Sequence, residues 1–206
     1  MPVLLNLRDE RVLVVGGGLV GARKAQNARS ADARVVVVDP QPGLSLPPGC
    51  EHVVERYRPE HLAGASLAFA CATTDVNAQI VQDARARGVW VNAATSPDEG
   101  DFALPAVVRR GGLTLAVSTG GASPALARRI REKLEAEFDE AFGLWVQVLA
   151  EVRAEVLASV PDDARRRALL DGFAGWEWLA RLRDEGAEAV RSAMRSAMRA
   201  EVGRRR

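Results

Sequence analysis

Cysteine is scarce in this chain: its 206 residues contain only Cys50 and Cys71. Two cysteines do not make a disulfide framework, and neither lies in a Cys-x-x-Cys or Cys/His cluster of the zinc type. Cys71, within Leu67-Ala68-Phe69-Ala70-Cys71, is expected to be a small buried hydrophobe. The two histidines, His52 and His61, stand outside any metal-ligand spacing, so no resident metal is expected. Tyrosine is rarer still: with Tyr57 alone, the Tyr-x-x-x-Lys pair of short-chain dehydrogenases is missing. Long hydrophobic runs are missing too, and nothing approaches the ~20 apolar residues of a membrane span. The opening Met1-Pro2-Val3-Leu4-Leu5-Asn6-Leu7-Arg8-Asp9 has too short an apolar stretch for a signal peptide and lacks a basic leader. These absences predict a cytoplasmic protein with no membrane partner. Nor does charge of one sign prevail: the net charge is +1, so no global field draws nucleic acid, and no nucleic-acid partner is expected.

What is present is an ordinary globular composition, 48% hydrophobic and 27% charged, in a chain long enough for a sizeable core and one or two domains. The first half alternates strand-like with helix-like segments. Residues 11–15 form a short β-branched run, 19–29 read as a helix, and 34–38 end in a valine run suited to a parallel strand covered on both faces. Residues 41–49 are rich in Pro and Gly and predict a loop. Further strands are expected at 53–57, 67–72 and 89–93, with a helix at 76–87. This alternation predicts an α/β fold with a parallel sheet.

The pattern changes near Gly100. Residues 102–108 and 113–118 flank Arg109-Arg110-Gly111-Gly112, a hairpin signal. After Pro124 apolar residues recur at three- and four-residue steps from Leu126 to Val156, which predicts one long helix or two consecutive ones. Pro161-Asp162-Asp163 breaks the run, and residues 164–200 are again helical, weakened at Gly172, Gly175 and Gly186. Ser192-Ala193-Met194-Arg195 recurs as Ser196-Ala197-Met198-Arg199, too short a duplication for a repeat architecture. Arg204-Arg205-Arg206 reads as a solvated tail. The expected division is a nucleotide-binding domain over residues 1–108, a hairpin-plus-helix region over 109–145 and a helical domain over 146–206.

Chemistry enters at Val12-Leu13-Val14-Val15-Gly16-Gly17-Gly18-Leu19-Val20-Gly21. Gly16, Gly18 and Gly21 fit GxGxxG between a strand and a helix, the context that gives the motif meaning. Gly16 allows the tight turn, Gly18 lets the backbone approach a pyrophosphate, and Gly21 lets the helix pack on the strand. The helix start offers free N–H groups to the anion. Asp39 closes the next strand where a carboxylate binds ribose hydroxyls and repels a 2′-phosphate, so NAD is expected over NADP. Two further loops carry candidate groups. Asp98, Glu99 and Asp101 follow the strand at 89–93, outside the carboxyl ends of the strands where open α/β folds bind ligands, and are placed to act as acids or bases. Ser118-Thr119-Gly120-Gly121-Ala122-Ser123-Pro124 leads into a helix, with Ser123 as its cap and Arg128 one turn on, and reads either as simple capping or as a carboxylate or phosphate site. Trp145, Trp176 and Trp178 read as core aromatics before flat-ligand platforms.

Together these motifs resemble the precorrin-2 dehydrogenase/sirohydrochlorin ferrochelatase family, the N-terminal module of siroheme synthase. The residues that carry the resemblance are Pro2-Val3-Leu4-Leu5-Asn6-Leu7, the glycine loop continued through Ala22-Arg23-Lys24-Ala25, Ala72-Thr73-Thr74-Asp75-Val76-Asn77, Val91-Asn92-Ala93, Asp101-Phe102-Ala103-Leu104-Pro105-Ala106 and Ser118-Thr119-Gly120-Gly121-Ala122-Ser123-Pro124-Ala125-Leu126-Ala127. They cover roughly residues 1–135, in the family's order.

The resemblance implies a Rossmann-type fold, NAD-dependent oxidation of precorrin-2 to sirohydrochlorin, and a homodimer joined through the region after the Rossmann domain. By position it places Leu19, Val20, Pro40 and Gln41 at the NAD site with the glycines. It gives Ser118, Thr119, Gly120, Ser123 and Arg128 a partner in a tetrapyrrole rich in carboxylates. Many members also insert Fe(II), here Fe(II) or Co(II) as a substrate metal. One departure bears on that step: where many relatives carry an aspartate after Asn-x-x, this chain has Thr95, which cannot act as a carboxylate base. That threatens chelation more than hydride transfer, and Asp98 or Asp101 could substitute. Thr119 occupies a position where some relatives have a phosphorylatable serine. Two other functions stay open on the sequence: a non-catalytic NAD(H)-binding regulator, and a dehydrogenase of another small substrate.

Overall fold

The computed structural model describes residues 2–203. They divide into two compact units that meet in sequence between Leu104 and Pro105. In the first unit, β1 (Arg11–Val15), β2 (Arg34–Val38), β3 (Glu51–Val53), β4 (Leu67–Ala70) and β5 (Trp90–Ala93) form one parallel sheet in the order β3-β2-β1-β4-β5. The helices α1 (Leu19–Arg29) and α2 (Thr74–Ala86) supply crossovers. Strands covered on both faces must be apolar on both, and β1 and β2 meet this with four buried residues each. Alternate side chains split between two cores. Val12, Val14, Val35, Val37, Leu67 and Phe69 pack with Ala25 and Ala28 of α1. Leu13, Val15, Val36, Val38, Ala68 and Ala70 pack with Ile80, Val81 and Ala84 of α2. The order reverses between β1 and β4, so a crevice opens at their carboxyl ends, the switch point where such sheets bind ligands.

Most expected boundaries shift by one or two residues, and two move further. The third strand is Glu51–Val53 and not 53–57, because its partner β2 offers only Val36–Val38 to that edge before ending. Residues 102–105 are not strand. Asn92 Nδ2 donates to the Phe102 carbonyl at 2.8 Å and the Phe102 ring meets Phe69 edge-on at 5.6 Å, which ties this stretch to the first unit.

The second unit begins with an antiparallel hairpin of β6 (Ala106–Arg110) and β7 (Leu113–Val117). Five helices follow: α3 (Pro124–Glu137), α4 (Glu140–Ser159), α5 (Asp163–Phe173), α6 (Trp176–Glu185) and α7 (Ala187–Gly203). The long apolar stripe is thus two helices, broken at Phe138, whose ψ of 83° leaves the helical region. Residues 145 and 146 both lie inside α4. Trp145, Val148, Val152 and Val156 of α4 share a core with Leu179, Leu182, Val190, Met194 and Met198. The short duplication acquires a structural meaning here. Its four-residue step puts Met194 and Met198 on the buried face of α7, while Arg195, and Arg191 one step before the duplicated segment, reach Glu155 and Glu151 of α4 at 2.6 Å each. Among the described residues, no helix is long and apolar enough to cross a membrane.

Candidate functional site

The crevice is built by the chain turning sharply at the end of β1. Gly16 donates its N–H to the Val38 carbonyl at 2.9 Å and adopts φ +97°, a left-handed conformation that favours glycine. A Cβ on Gly16 would lie 2.4 Å from the Cys71 carbonyl oxygen. The α1 helix then starts with Gly18 as its cap residue. Glycine offers no side-chain acceptor and the first turn holds no acidic residue, so no side chain claims the first amides of the helix. Gly21 sits where a Cβ would fall 1.8 Å from the Gly16 carbonyl oxygen, whereas a Cβ on Gly18 would meet nothing within 4 Å. The loop is therefore tight where it packs on itself and open where an anion would approach. Leu19 is 94% exposed beside it.

Asp39 fixes the opposite wall. One carboxylate oxygen accepts the Gly17 N–H at 2.7 Å and the other the Gln41 N–H at 2.8 Å. An ionised carboxylate accepts about four hydrogen bonds, so both oxygens retain capacity for ribose hydroxyls. The cavity measures about 680 Å³ and is lined by Gly16, Gly18, Asp39 and Pro40 together with groups to which the sequence assigned no site role, among them Arg56, Tyr57, Thr73 and Gln79. The rule that ligands bind at strand carboxyl ends, applied to the strand at 67–72 as it was to the one at 89–93, is the signal that leads to residues 71–79. Cys71 corrects an expectation. It is half-buried in the crevice wall, and burial pushes its thiol up to about 11, partly opposed by Lys24 and then Arg23. The thiol is thus protonated at neutral pH.

Asn77 of α2 is 2% exposed. Its oxygen accepts the Ala72 N–H at 2.9 Å, and its Nδ2 donates to the Ala72 carbonyl at 3.2 Å and to Thr95 Oγ1 at 3.1 Å. This side chain shapes the loop after β4 and ties it to Thr95, beyond β5. Asp98 is exposed in the 3-10 turn Pro97–Glu99. Asp101 stands elsewhere, on the free edge of β5. Its Oδ2 accepts the Val91 N–H at 3.0 Å, its own N–H donates to the Val91 carbonyl at 2.7 Å, and its Oδ1 lies 3.5 Å from the Arg85 guanidinium. It satisfies a strand edge that would otherwise stay unpaired. Asp101→Ala should therefore lower the stability of the first unit by ~1–3 kcal/mol, the cost of stranding a partly buried amide, with cofactor affinity unchanged. Denaturant melts and cofactor titration check both parts.

In the second unit the 118–124 loop is internally bonded. Ser118 Oγ accepts the Gly120 N–H at 3.2 Å, Thr119 Oγ1 bridges the N–H and carbonyl of Ser123 at 3.1 Å each, and Ser123 Oγ caps α3 by accepting the Leu126 N–H at 3.2 Å. Gly120 and Gly121 have open space around their Cα atoms. Arg128 is exposed, 3.8 Å from Glu132. Among the described residues, no cluster of three or more His, Cys, Asp or Glu is positioned to hold a metal ion.

A parallel sheet, a glycine turn at the switch point and an uncapped helix start define an NAD(P)-binding Rossmann protein. A family model described as "Putative NAD(P)-binding" matches residues 3–106, and one described as "Sirohaem biosynthesis protein central" matches residues 110–137. The chain belongs to the family of NAD(P)-binding modules that form the N-terminal part of siroheme synthases. It is 38% identical to the siroheme synthase of Chromobacterium violaceum, over 99% of this chain and 43% of that protein. It is 40% identical to the siroheme synthase of Pseudomonas fluorescens, over 82% of this chain and 38% of that protein. The chain thus spans about two fifths of the length of these relatives. A solved structure of SirC, precorrin-2 dehydrogenase, matches with a TM-score of 0.78 at 25% identity, covering 95% of this chain and 99% of that one.

Proposed function

We propose that this protein is an NAD-dependent dehydrogenase that oxidises precorrin-2 to sirohydrochlorin. The observation that carries the reading is the crevice itself, an open glycine turn under an uncapped helix start, set in a fold that matches a precorrin-2 dehydrogenase over nearly its whole length. Gly16, Gly18, Leu19, Val20 and Gly21 fit a pyrophosphate, and Asp39, Pro40 and Gln41 fit the adenosine ribose. Asp39 favours NAD over NADP, because its fixed carboxylate would face a 2′-phosphate. Bound there, NAD supplies the hydride acceptor. Oxidation also releases a proton. Of the candidate groups, Asp98 is exposed in the turn after β5, Thr95 Oγ1 accepts a hydrogen bond from Asn77, and Asp101 has its oxygens turned to Val91 and Arg85. We therefore assign proton acceptance to Asp98 before Asp101.

The substrate's carboxylates suit the loop of Ser118, Thr119, Gly120 and Ser123 with Arg128. We propose a homodimer formed through residues 109–145, in which the exposed Leu126 and Ile130 of α3 supply apolar contact. The protein acts in the cytoplasm. Insertion of Fe(II) or Co(II) into the product is slow or lost, because Thr95 removes a carboxylate from the edge that would take pyrrole protons.

One anaerobic assay tests the proposal. Precorrin-2 with NAD should give NADH and sirohydrochlorin in equal amounts, followed by little absorbance change when Fe(II) or Co(II) is added. A folded protein that binds NAD yet yields no NADH refutes the dehydrogenase. Tight NADH binding with no tetrapyrrole binding would favour the regulator instead.

A further inference from the structure

The chain holds only two lysines among its 28 basic residues. One of them, Lys24, is half-buried on α1, with its Nζ 5.5 Å from the centroid of the Phe69 ring. Among the described residues it has no carboxylate partner, whereas Arg191 and Arg195 each hold a glutamate. Desolvation lowers its pKa first, opposed by Cys71, with Arg23 adding to the lowering. The Cys71 thiol is protonated and cannot neutralise it. The Phe69 ring face attracts the ammonium and offsets part of its desolvation, but a half-desolvated ammonium beside another cation still lacks a counter-charge.

A second observation falls on the same face of the sheet. Asn92 of β5 pairs in register with Phe69 and is 6% exposed. Its Nδ2 is used by the Phe102 carbonyl, but its Oδ1 is buried without a hydrogen-bond partner. The free ammonium, the thiol and the unpaired amide oxygen thus share the α1 face at the carboxyl ends of β4 and β5. In the sheet order Asp39 follows β2, the glycine turn follows β1 and Cys71 follows β4. A dinucleotide whose adenosine lies at Asp39 and whose pyrophosphate lies at the turn extends toward β4, where the hydride acceptor belongs.

We propose that Lys24 is a substrate-binding residue whose ammonium takes one carboxylate of the acidic tetrapyrrole and holds the ring system beside the nicotinamide. The inference rests on the dehydrogenase reading above. It explains why this cation is left without a partner: its counter-ion arrives with the substrate.

The test uses the full chain and two variants, Lys24→Met, which keeps the length without the charge, and Lys24→Arg, which keeps the charge. Four quantities are measured: KM and kcat with precorrin-2, the Kd of sirohydrochlorin, the Kd of NAD, and the melting temperature. Lys24→Met should raise the KM and the sirohydrochlorin Kd by about tenfold or more, the loss of one charge-assisted contact. NAD affinity should be unchanged and the melting temperature little changed, since the lost ring contact offsets the relief of a half-buried charge. Lys24→Arg should recover most of the loss. Unchanged KM and sirohydrochlorin Kd in Lys24→Met, with normal wild-type turnover, overturn the proposal alone. An equal loss of NAD affinity also overturns it, by making Lys24 a cofactor residue. If the wild-type protein neither oxidises precorrin-2 nor binds sirohydrochlorin, the dehydrogenase reading falls and takes this role with it.

Discussion

Gly21→Ala should cost the first unit ~3 kcal/mol or more, while Gly18→Ala, three residues earlier, should leave it folded and weaken the cofactor. The two methyl groups meet opposite surroundings. At Gly21 the new carbon would lie 1.8 Å from the Gly16 carbonyl oxygen and 3.4 Å from Val14 Cγ1. The first contact is backbone, so relief requires α1 to move off the turn, at the upper end of the 1–3 kcal/mol typical of overpacking or beyond it. At Gly18 nothing lies within 4 Å and φ is −65°, which alanine adopts freely. Its methyl would instead occupy the space through which a pyrophosphate reaches the helix amides. Losing one or two charge-assisted contacts, ~1.5–3 kcal/mol, weakens NAD about 10- to 100-fold. Thermal melts and NAD titration of both variants separate the two roles. Gly18→Ala with wild-type NAD affinity would remove the glycine turn from the binding site.

Asp39→Arg should lower NAD affinity by about 10- to 100-fold and turn the preference toward NADP. It should also lower the melting temperature, which the ribose argument alone does not predict. The carboxylate accepts the Gly17 and Gln41 amides at 2.7 and 2.8 Å, so it holds the second glycine of the turn against the end of β2. Removing it leaves both donors to solvent or to strain, at ~1–3 kcal/mol for the more buried one. The guanidinium in its place would join Arg56, already in the crevice lining, in facing a 2′-phosphate. Titration with NAD and NADP beside a thermal melt reads both effects. An unchanged cofactor ratio refutes the ribose assignment, and an unchanged melting temperature refutes the bracing role.

The elements most readable along the chain were those whose signal is local. The strands Arg11–Val15 and Arg34–Val38 and the helix Leu19–Arg29 fall where valine runs and helical spacing put them. Of the weak points, Gly172 lies in the last turn of α5, Gly175 is the cap residue at the start of α6, and Gly186 separates α6 from α7. The short edge strand β3 was misplaced because its span depends on which residues of β2 remain free to pair. Phe102 read as strand because it opens the apolar run before the Arg109–Gly112 hairpin signal, yet its packing partner is Phe69, 33 positions away.

By itself, the sequence determined the parallel sheet, the glycine turn and the residue at the end of β2, since each depends on backbone conformation and the spacing of a few neighbours. Only the tertiary structure decided what the remaining polar groups do. It turned Asp101 onto the edge of β5, moved Cys71 from the expected core into the crevice wall, bound Asn77 to Thr95, and left Lys24 over an aromatic ring without a counter-ion. The reason is the range of the interaction. A turn or helix start is a property of consecutive residues, whereas the role of a charge or an amide is set by partners that only the packed sheet brings within 3 or 4 Å.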